Sequence, residues 1–355
     1  MDCSPAATNE RGDECLKAIV KFADGAQGFG LLEVEKPVPA QDEILIEVKT
    51  VGICGTDIHI IHDEYPHSTP VTLGHEYVGT VVEVGEKAQG FAVGDTAVSL
   101  ACAYTCGKCK FCKSGINMMC PERLSIGSWK NGAMTRYIVV PAISAFKVDA
   151  PASDEMAAYE PAACCTRAVC EIGKIQADDL VLVSGAGFMG QICMQLCKHA
   201  GARVVMAGLP ADAERLALAT KMGADAVATS ADGIAGALKA LGADGFTAAI
   251  ECAAAAPSMA NCIRFATKHA RVVQVGLYGK PIAVDLDGAM YKELQLLTSF
   301  GSNPSSWRKT LEIVGEGGID LKPYLTCVVP FSQWEDAFAR MRSGKYYKVL
   351  MQLDK

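Results

Sequence analysis

The chain has 355 residues, half of them apolar and 21% charged, a composition typical of a globular protein of about two domains. Its 33 Lys and Arg residues against 40 Asp and Glu residues give a net charge of −7, and the basic residues are scattered. This balance argues against binding to nucleic acids or to anionic membranes, which leaves small-molecule chemistry as the expectation.

Two segments indicate whether the protein is exported or inserted in a membrane. Residues 1–14 carry five charged side chains and no apolar core, so no signal peptide is predicted. Residues 180–197 are uncharged, but three glycines interrupt them, which favours a strand, a turn and a helix over a membrane span. Without an export signal, the 16 cysteines favour metal binding over disulfides, and we expect a cytoplasmic protein.

In chain order, residues 15–150 alternate β-branched runs with glycine-containing turns such as Gly85-Glu86. This pattern predicts a mostly antiparallel, barrel-like domain. The predicted strands are 44–48, 78–84, 96–100 and 137–140.

Candidate metal ligands occur at three places along the chain. A thiolate comes from the run Gly52-Ile-Cys54-Gly-Thr56-Asp57-Ile-His59, and an imidazole with an adjacent carboxylate comes from Gly74-His75-Glu76. Tyr159-Glu160-Pro161 offers a further carboxylate. Taken singly, such a cysteine is more often simply buried and such a histidine is more often a core residue than a ligand, so the residues alone leave the convergence of Cys54 and His75 open.

The most specific motif is Cys106-Gly-Lys-Cys109-Lys-Phe-Cys112, followed by Cys120. Four thiolates at this spacing can surround one ion tetrahedrally, which predicts a closed, structural zinc site. An iron–sulfur cluster and a nucleic-acid-binding zinc ribbon are the alternatives. The absence of a second cluster motif argues against the first alternative, and the acidic net charge argues against the second.

From residue 160 to 298 the pattern changes to apolar strands alternating with alanine-rich helices. This alternation predicts a doubly wound parallel sheet of the α/β class. The predicted strands are 180–184, 203–207, 226–228, 246–251, 271–276 and 294–299.

The first of these strands continues into Gly185-Ala-Gly187-Phe-Met-Gly190 and then into an amphipathic helix. A GxGxxG run between a strand and a helix is the context in which backbone N–H groups bind a pyrophosphate. We therefore predict a dinucleotide site, with a purely structural glycine turn as the alternative.

The following strand, 203–207, ends in Gly208 where an acidic residue would bind the ribose 2′-hydroxyl. Without that carboxylate a 2′-phosphate meets no repulsion, and Arg215 or Arg203 can neutralise it. Asp212 can still reach the hydroxyl, so NAD and NADP both stay open.

The last stretch, 305–355, contains a helix with Trp334, Ala337, Phe338 and Met341 on one face. A final strand is predicted over 347–353.

Together these motifs resemble the medium-chain zinc-dependent dehydrogenases over nearly the whole chain. The Gly-x-Cys-Gly-Thr-Asp run, the Gly74-His-Glu76-x-x-Gly79 run, the four-cysteine loop and the late GxGxxG occur in that family's order. Glu160-Pro161, where liver-type alcohol dehydrogenases have a cysteine ligand, indicates the sorbitol and threonine dehydrogenase branch.

The resemblance implies a catalytic zinc held by Cys54, His75 and a carboxylate of Glu76 or Glu160, with Thr56 and His59 as a proton relay. It also implies a GroES-like catalytic domain formed by residues 1–158 and 299–355, and a Rossmann cofactor domain over 159–298. Enzymes of this family are usually homodimers or homotetramers, so the resemblance also implies such an assembly. The expected cofactor contacts are Gly185, Gly187, Phe188, Met189, Gly190, Gly208, Arg215, Val275, Gly276, Ser299 and Phe300.

We therefore expect hydride transfer between NAD or NADP and a small secondary alcohol or polyol. Hexitol dehydrogenases of this branch carry an arginine after the last strand of the cofactor domain, but residues 298–303 contain none. A threonine 3-dehydrogenase is the first alternative. A non-catalytic, zinc-stabilised nucleotide-binding protein is the second, although the candidate zinc ligands are all present.

Overall fold

The computed structural model describes residues 15–353; the charged segment 1–14, on which the signal-peptide prediction rests, lies outside the described residues. Contacts divide the chain into two compact units. Unit 1 comprises residues 1–160 and 322–355, and unit 2 comprises residues 161–321.

The described strands follow one another along the chain as β1 (Cys15–Lys21), β2 (Phe29–Glu35), β3 (Glu43–Gly52), β4 (Val71–Thr72), β5 (Glu76–Val84), β6 (Thr96–Ser99), β7 (Tyr137–Pro141), β8 (Ala145–Val148), β9 (Leu180–Ser184), β10 (Arg203–Ala207), β11 (Ala226–Ala228), β12 (Phe246–Glu251), β13 (Ala266–Gln274), β14 (Gln295–Thr298), β15 (Cys327–Pro330) and β16 (Val349–Gln352).

The described α-helices are α1 (Gly55–Ile61), α2 (Lys110–Lys113), α3 (Tyr159–Thr166), α4 (Phe188–His199), α5 (Ala213–Lys221), α6 (Ala231–Ala240), α7 (Ala256–Arg264), α8 (Leu286–Tyr291), α9 (Pro304–Gly315) and α10 (Trp334–Arg342). A π-helical turn, Arg167–Ile172, continues α3.

Unit 1 is built around β3, the longest strand. This strand belongs to a seven-stranded sheet of order β15-β16-β3-β5-β6-β8, in which β7 also pairs with β3. Except for the parallel pair β15 and β16, its strands run antiparallel. Ile44, Ile46 and Val48 of β3 are buried in the core, as expected for β-branched residues on the inner face of a sheet. The predicted barrel-like domain is confirmed.

Unit 2 contains a six-stranded parallel sheet of order β11-β10-β9-β12-β13-β14. All five residues of β9 are buried, which explains its unbroken apolar sequence. The strand order reverses between β9 and β12, and ligands of such sheets bind at the carboxyl ends of the strands where this reversal occurs. The predicted doubly wound sheet is confirmed.

Residues 299–321, which we assigned to the catalytic domain, cluster with unit 2. Inside unit 2, Thr310 of α9 donates a hydrogen bond of 2.7 Å to Thr166. Gln195 of α4 exchanges two hydrogen bonds with the backbone of Asp320. The domain therefore changes near residue 321, because the segment after β14 packs on the helices of the parallel sheet before the chain returns to unit 1.

The uncharged segment 180–197 forms β9, the glycine turn and most of α4, as predicted. Within residues 15–353, no helix has both the length and the apolar character needed to cross a membrane.

Candidate metal centres and dinucleotide site

Cys54, His75 and Glu76 come together in unit 1. One ligand atom from each lies within 4.8 Å of the others. The strand pairing explains this convergence: β3 and β5 run antiparallel with Gly52 opposite Glu76, and Cys54 follows β3 while His75 precedes β5. His75 and Glu76 are buried and Cys54 is half-buried.

Asp57 fixes the two segments that carry these side chains. Its Oδ2 accepts a hydrogen bond of 2.8 Å from the backbone N–H of Cys54, and its Oδ1 accepts one of 3.2 Å from the N–H of Gly74. Oδ1 also lies 3.7 Å from Nδ1 of His75. Burial raises the pKa of Asp57, although the N–H donors and His75 oppose this effect. Asp57 is therefore a positioning residue for the thiol and the imidazole.

The carboxylate of Glu76 is fully buried. Its Oε2 forms an ion pair with Nζ of Lys348, whereas its Oε1 has no hydrogen-bond partner among the described residues. A Cβ at position 52 would stand 2.6 Å from Oε2, so the close approach of the carboxylate to β3 requires the glycine at this position.

Lys348 is a functional-site candidate that the sequence does not reveal. It lies immediately before β16, only 5% exposed. Burial lowers its pKa, but the negative charges of Glu76, Cys54 and Glu160 outweigh burial, and the pKa stands above its ordinary value. No local pattern around Lys348 distinguishes it from a surface lysine, because its contact depends on the pairing of β16 with β3.

The cluster of Cys54, His75 and Glu76 has the donor set and the charge expected of a zinc site. Burial disfavours the charged form of His75, yet the charges of Cys54, Asp57 and Glu160 raise its pKa well above the ordinary value. These groups therefore create a strongly negative potential, which attracts a cation. A thiolate, an imidazole and a carboxylate oxygen without a donor are ligands that zinc binds, so the residues fit this metal.

Glu160, the second candidate carboxylate, lies at the start of α3 and is 6% exposed. It acts electrostatically on His75 and on Lys348, so it is near the cluster. Its carboxylate does not belong to the group of mutually close ligand atoms, which contains Glu76 instead. The choice between the two glutamates as direct ligand stays a prediction.

Thr56 and His59 lie on α1, next to this cluster. Oγ1 of Thr56 is 3.7 Å from Sγ of Cys54. Nδ1 of His59 is 2.6 Å from Oε2 of Glu64, and the His59 side chain is 29% exposed against 58% for Glu64. The two side chains are three residues apart and share one face of the helix. This arrangement leads from the half-buried Cys54 thiol towards solvent.

The loop after α1 holds two histidines, His62 and His67. Nδ1 of His67 is 2.8 Å from the carbonyl oxygen of Tyr65, and Nε2 lies 3.5 Å from Asp63. Asp63 is ion-paired with the buried Lys21. His62 lines a cavity with Trp334 and other residues. The contacts of His67 therefore lie within the loop itself.

The four cysteines 106, 109, 112 and 120 form a second cluster, with all four sulfurs within 4.8 Å of one another. The sulfur–sulfur distances are 3.9 Å between Cys106 and Cys112, 3.5 Å between Cys109 and Cys112, and 3.6 Å between Cys120 and Cys106. Tetrahedral coordination with Zn–S bonds of about 2.3 Å places sulfurs about 3.8 Å apart, which matches these distances.

Backbone N–H groups approach several sulfurs of this loop. The N–H of Cys112 lies 3.4 Å from Sγ of Cys109, and the N–H of Cys106 lies 3.4 Å from Sγ of Cys120. N–H groups of Lys108 and Cys109 lower the pKa of Cys106 to about 7. Four protein ligands fill a tetrahedral shell, so the residues fit a structural zinc with no position for a substrate.

The glycine turn of unit 2 has the shape of a pyrophosphate site. A Cβ at Gly190 would stand 1.8 Å from the carbonyl oxygen of Gly185, so only glycine permits this packing of α4 against β9. Gly187 begins α4 without a side-chain cap, and nothing lies within 4 Å of where its Cβ would be. An uncapped helix start with open space beside Gly187 fits an anionic dinucleotide.

The other predicted cofactor contacts follow the carboxyl ends of parallel strands. Val275 and Gly276 follow β13, and both of their N–H groups donate to the carbonyl oxygen of Glu251 at the end of β12. Ser299 and Phe300 follow β14, and the carbonyl oxygen of Phe300 accepts a hydrogen bond of 2.8 Å from Arg167. The structure therefore brings these residues to the edge of the sheet where the glycine turn lies; their contact with a cofactor stays a prediction.

Two family models match the chain. Residues 40–150 match the alcohol dehydrogenase GroES-like domain, and residues 189–316 match the zinc-binding dehydrogenase.

Three curated relatives match almost end to end. D-arabitol-phosphate dehydrogenase of Enterococcus avium is 32% identical, over 95% of this chain and 97% of its own. Sorbitol dehydrogenase of Halalkalibacterium halodurans is 34% identical, over 95% of this chain and 99% of its own. L-threonine 3-dehydrogenase of Yersinia pestis is 33% identical, over 96% and 100%. A zinc-binding dehydrogenase of Sinorhizobium meliloti, solved bound to NADP, superposes with a TM-score of 0.86 at 29% identity, covering 96% of this chain and 99% of that chain.

The pair formed by Lys348 and Glu76 yields a prediction for the zinc-free protein. Lys348→Met leaves the buried Glu76 carboxylate uncompensated, so the free energy of unfolding falls by about 3–5 kcal/mol. Lys17→Met, which removes an exposed lysine from β1, serves as the control. Urea denaturation of chelator-treated protein measures both changes.

The double variant Lys348→Met with Glu76→Gln recovers part of the lost stability, because it removes both charges of the pair. If Lys348→Met costs no more than Lys17→Met, the ion pair has no role in stability.

Proposed function

The chain belongs to the family of zinc-binding alcohol dehydrogenases, and on this premise we propose that Cys54, His75 and a carboxylate of Glu76 or Glu160 hold its catalytic zinc. The protein is an oxidoreductase that transfers a hydride between a CH–OH group of a small alcohol or polyol and NAD(P). The observation that carries the proposal is the convergence of a thiol, an imidazole and a carboxylate oxygen with no donor.

When bound, the zinc supplies a Lewis acid that lowers the pKa of a substrate hydroxyl, and the nicotinamide supplies the hydride acceptor. Residues of the chain transfer the proton that the substrate hydroxyl loses. The Thr56 hydroxyl, beside Cys54, hydrogen-bonds the substrate oxygen. His59 takes the proton outward and passes it to Glu64 or to solvent, which the contact of 2.6 Å between their side chains supports. Asp57 keeps the thiol and imidazole segments in register.

The substrate in this proposal is a secondary alcohol or polyol other than a hexitol. The names of the sorbitol and arabitol-phosphate dehydrogenases that resemble the chain support a polyol. The segment 298–303 lacks the arginine of hexitol dehydrogenases, which argues against a six-carbon polyol.

We propose that the four cysteines around Cys106 bind the structural zinc of unit 1, and that the glycine turn of unit 2 binds the dinucleotide pyrophosphate. Sulfur–sulfur distances near those of a tetrahedral zinc site support the first assignment. The open space above Gly187 supports the second.

We also propose that two copies of the chain associate through β14, as a homodimer or as half of a homotetramer. Among the described residues β14 pairs only with β13, which leaves one of its edges open. Large apolar side chains near this edge are exposed, including Tyr291 at 76%, Leu296 at 42% and Phe300 at 39%. An open edge strand beside exposed apolar residues is a surface that proteins cover.

The cysteines support a cytoplasmic location for this protein. Both clusters need reduced thiols, and a reducing compartment preserves them. Fractionation of the source cells tests this: recovery outside the cytoplasm contradicts it.

The proposed activity is tested by reduction of NAD and of NADP with pentitols, hexitols, secondary alcohols and L-threonine as substrates. We expect turnover with polyols or secondary alcohols that a chelator abolishes. Cys54→Ser lowers turnover by about 100-fold or more, since it removes a thiolate ligand. Cys170→Ser, which changes a half-buried cysteine outside both clusters, serves as the control and retains activity. Full activity of the Cys54→Ser protein contradicts the proposal.

The interface proposal predicts that Leu296→Lys, which puts a charge at the β14 edge, shifts the protein towards monomers. Val227→Lys places the same charge on β11, the opposite edge strand, and leaves the assembly unchanged. Sedimentation velocity measures both. A wild-type monomer, or an unchanged assembly for Leu296→Lys, refutes this interface.

A further inference from the structure

The carboxyl end of β10 has a glycine, Gly208, where a side chain would reach the ribose of a bound dinucleotide. The space beside this glycine is not empty. A Cβ at position 208 would stand 3.2 Å from Oδ2 of Asp212 and 3.2 Å from Cβ of Ala186, which lies within the glycine turn. The carboxylate of Asp212 thus lies close to where an acidic side chain at position 208 would place its own carboxylate.

Backbone hydrogen bonds fix the carboxylate of Asp212 in this position. Its Oδ2 accepts a hydrogen bond of 2.9 Å from the N–H of Leu209, and the N–H of Asp212 donates one of 2.9 Å to the carbonyl oxygen of Leu209. The Asp212 side chain is 22% exposed, so the carboxylate is held but remains accessible to a ligand.

A buried glutamine connects the Asp212 turn to the glycine turn. Nε2 of Gln191 donates a hydrogen bond of 2.8 Å to the carbonyl oxygen of Arg215 and one of 3.4 Å to the carbonyl oxygen of Ala186. The N–H of Gly185 donates a hydrogen bond of 2.8 Å to the carbonyl oxygen of Ala207, the last residue of β10. The start of α5 and the pyrophosphate-binding turn therefore keep a fixed distance from each other.

The two arginines that the sequence offers for a 2′-phosphate are unsuited to it. Arg203 begins β10, at the opposite end of the parallel sheet from the glycine turn, where it donates to the carbonyl oxygen of Leu241. Arg215 lies 3.5 Å from Oδ1 of Asp212, so the carboxylate offsets its positive charge. A 2′-phosphate would bring close to two negative charges beside Asp212, and such like-charge contacts disfavour binding.

We propose that Asp212 replaces the missing acidic residue at position 208, binds the ribose hydroxyls and makes the enzyme selective for NAD over NADP. This inference rests on the proposed dinucleotide site of unit 2. By this inference the chain prefers NAD, whereas the similar dehydrogenase of Sinorhizobium meliloti was solved bound to NADP.

The test is calorimetric titration of the zinc-loaded protein with NAD and with NADP. We expect NAD to bind about 10-fold or more tightly than NADP. Asp212→Asn keeps an acceptor for the N–H of Leu209 but removes the charge, so it weakens NAD binding by about 10-fold and brings the two affinities together. Glu214→Gln removes an exposed acidic charge from the same helix and leaves the NAD-to-NADP ratio unchanged.

Three results would overturn the inference. NADP binding as tight as NAD, or tighter, refutes NAD selectivity while the proposed dinucleotide site stands. An unchanged ratio in Asp212→Asn, equal to that of Glu214→Gln, assigns selectivity to other residues. Binding of neither nucleotide to the folded protein refutes the proposed dinucleotide site and this inference with it.

Discussion

The antiparallel pairing of β3 with β5 is the constraint on which the candidate catalytic site depends. With Gly52 opposite Glu76, Cys54, the second residue after β3, and His75, the residue before β5, are neighbours in space although 21 positions separate them along the chain. A slip of one residue would turn Glu76 to the other face of the sheet. The bonds of Asp57 to both segments secure the register at the end where the ligands lie.

This arrangement concentrates negative charge in a buried place. Burial lowers the pKa of His75, but Cys54, Asp57 and Glu160 raise it above its ordinary value. Burial likewise lowers the pKa of Lys348, but Glu76, Cys54 and Glu160 raise it. Two like unit charges 4 Å apart repel by about 4 kcal/mol at an effective dielectric constant near 20, so an unbalanced cluster of this kind destabilises the fold. Lys348 offsets one carboxylate, and a divalent cation would offset part of the negative charge that remains. The same excess of negative charge that makes the site costly without metal gives it affinity for zinc.

The sequence predicts the parts of the fold that have strong periodicity. Strands β9, β10, β11 and β12 lie where the apolar runs indicate, because a buried parallel strand is apolar throughout. β2 escapes prediction because all seven of its residues are half-buried or exposed. β13 begins five residues earlier than predicted, and its first part contains the polar run Thr267-Lys-His269. The boundary at residue 321 depends on the packing of α9, which leaves no local signal.

The residues of the candidate site also differ in whether the sequence alone identifies them. Cys54, His75 and the four cysteines stand in motifs with characteristic spacing, so the sequence identifies them. Lys348 and Gln191 stand in ordinary local sequence and acquire their roles only when β16 pairs with β3 and α5 packs beside α4. Asp212 is intermediate, since the sequence offers it as a candidate but only the conformation of the turn shows its carboxylate beside Gly208.

The central claim is that Cys54, His75 and a glutamate carboxylate hold zinc in a site distinct from the four-cysteine loop. Diffraction data collected on either side of the zinc absorption edge, from crystals grown with zinc, test this most directly. The account predicts two anomalous peaks per chain, one between Cys54, His75 and a carboxylate and one among the four cysteines, and the first peak identifies Glu76 or Glu160 as the ligand. A single peak, among the four cysteines alone, would contradict it.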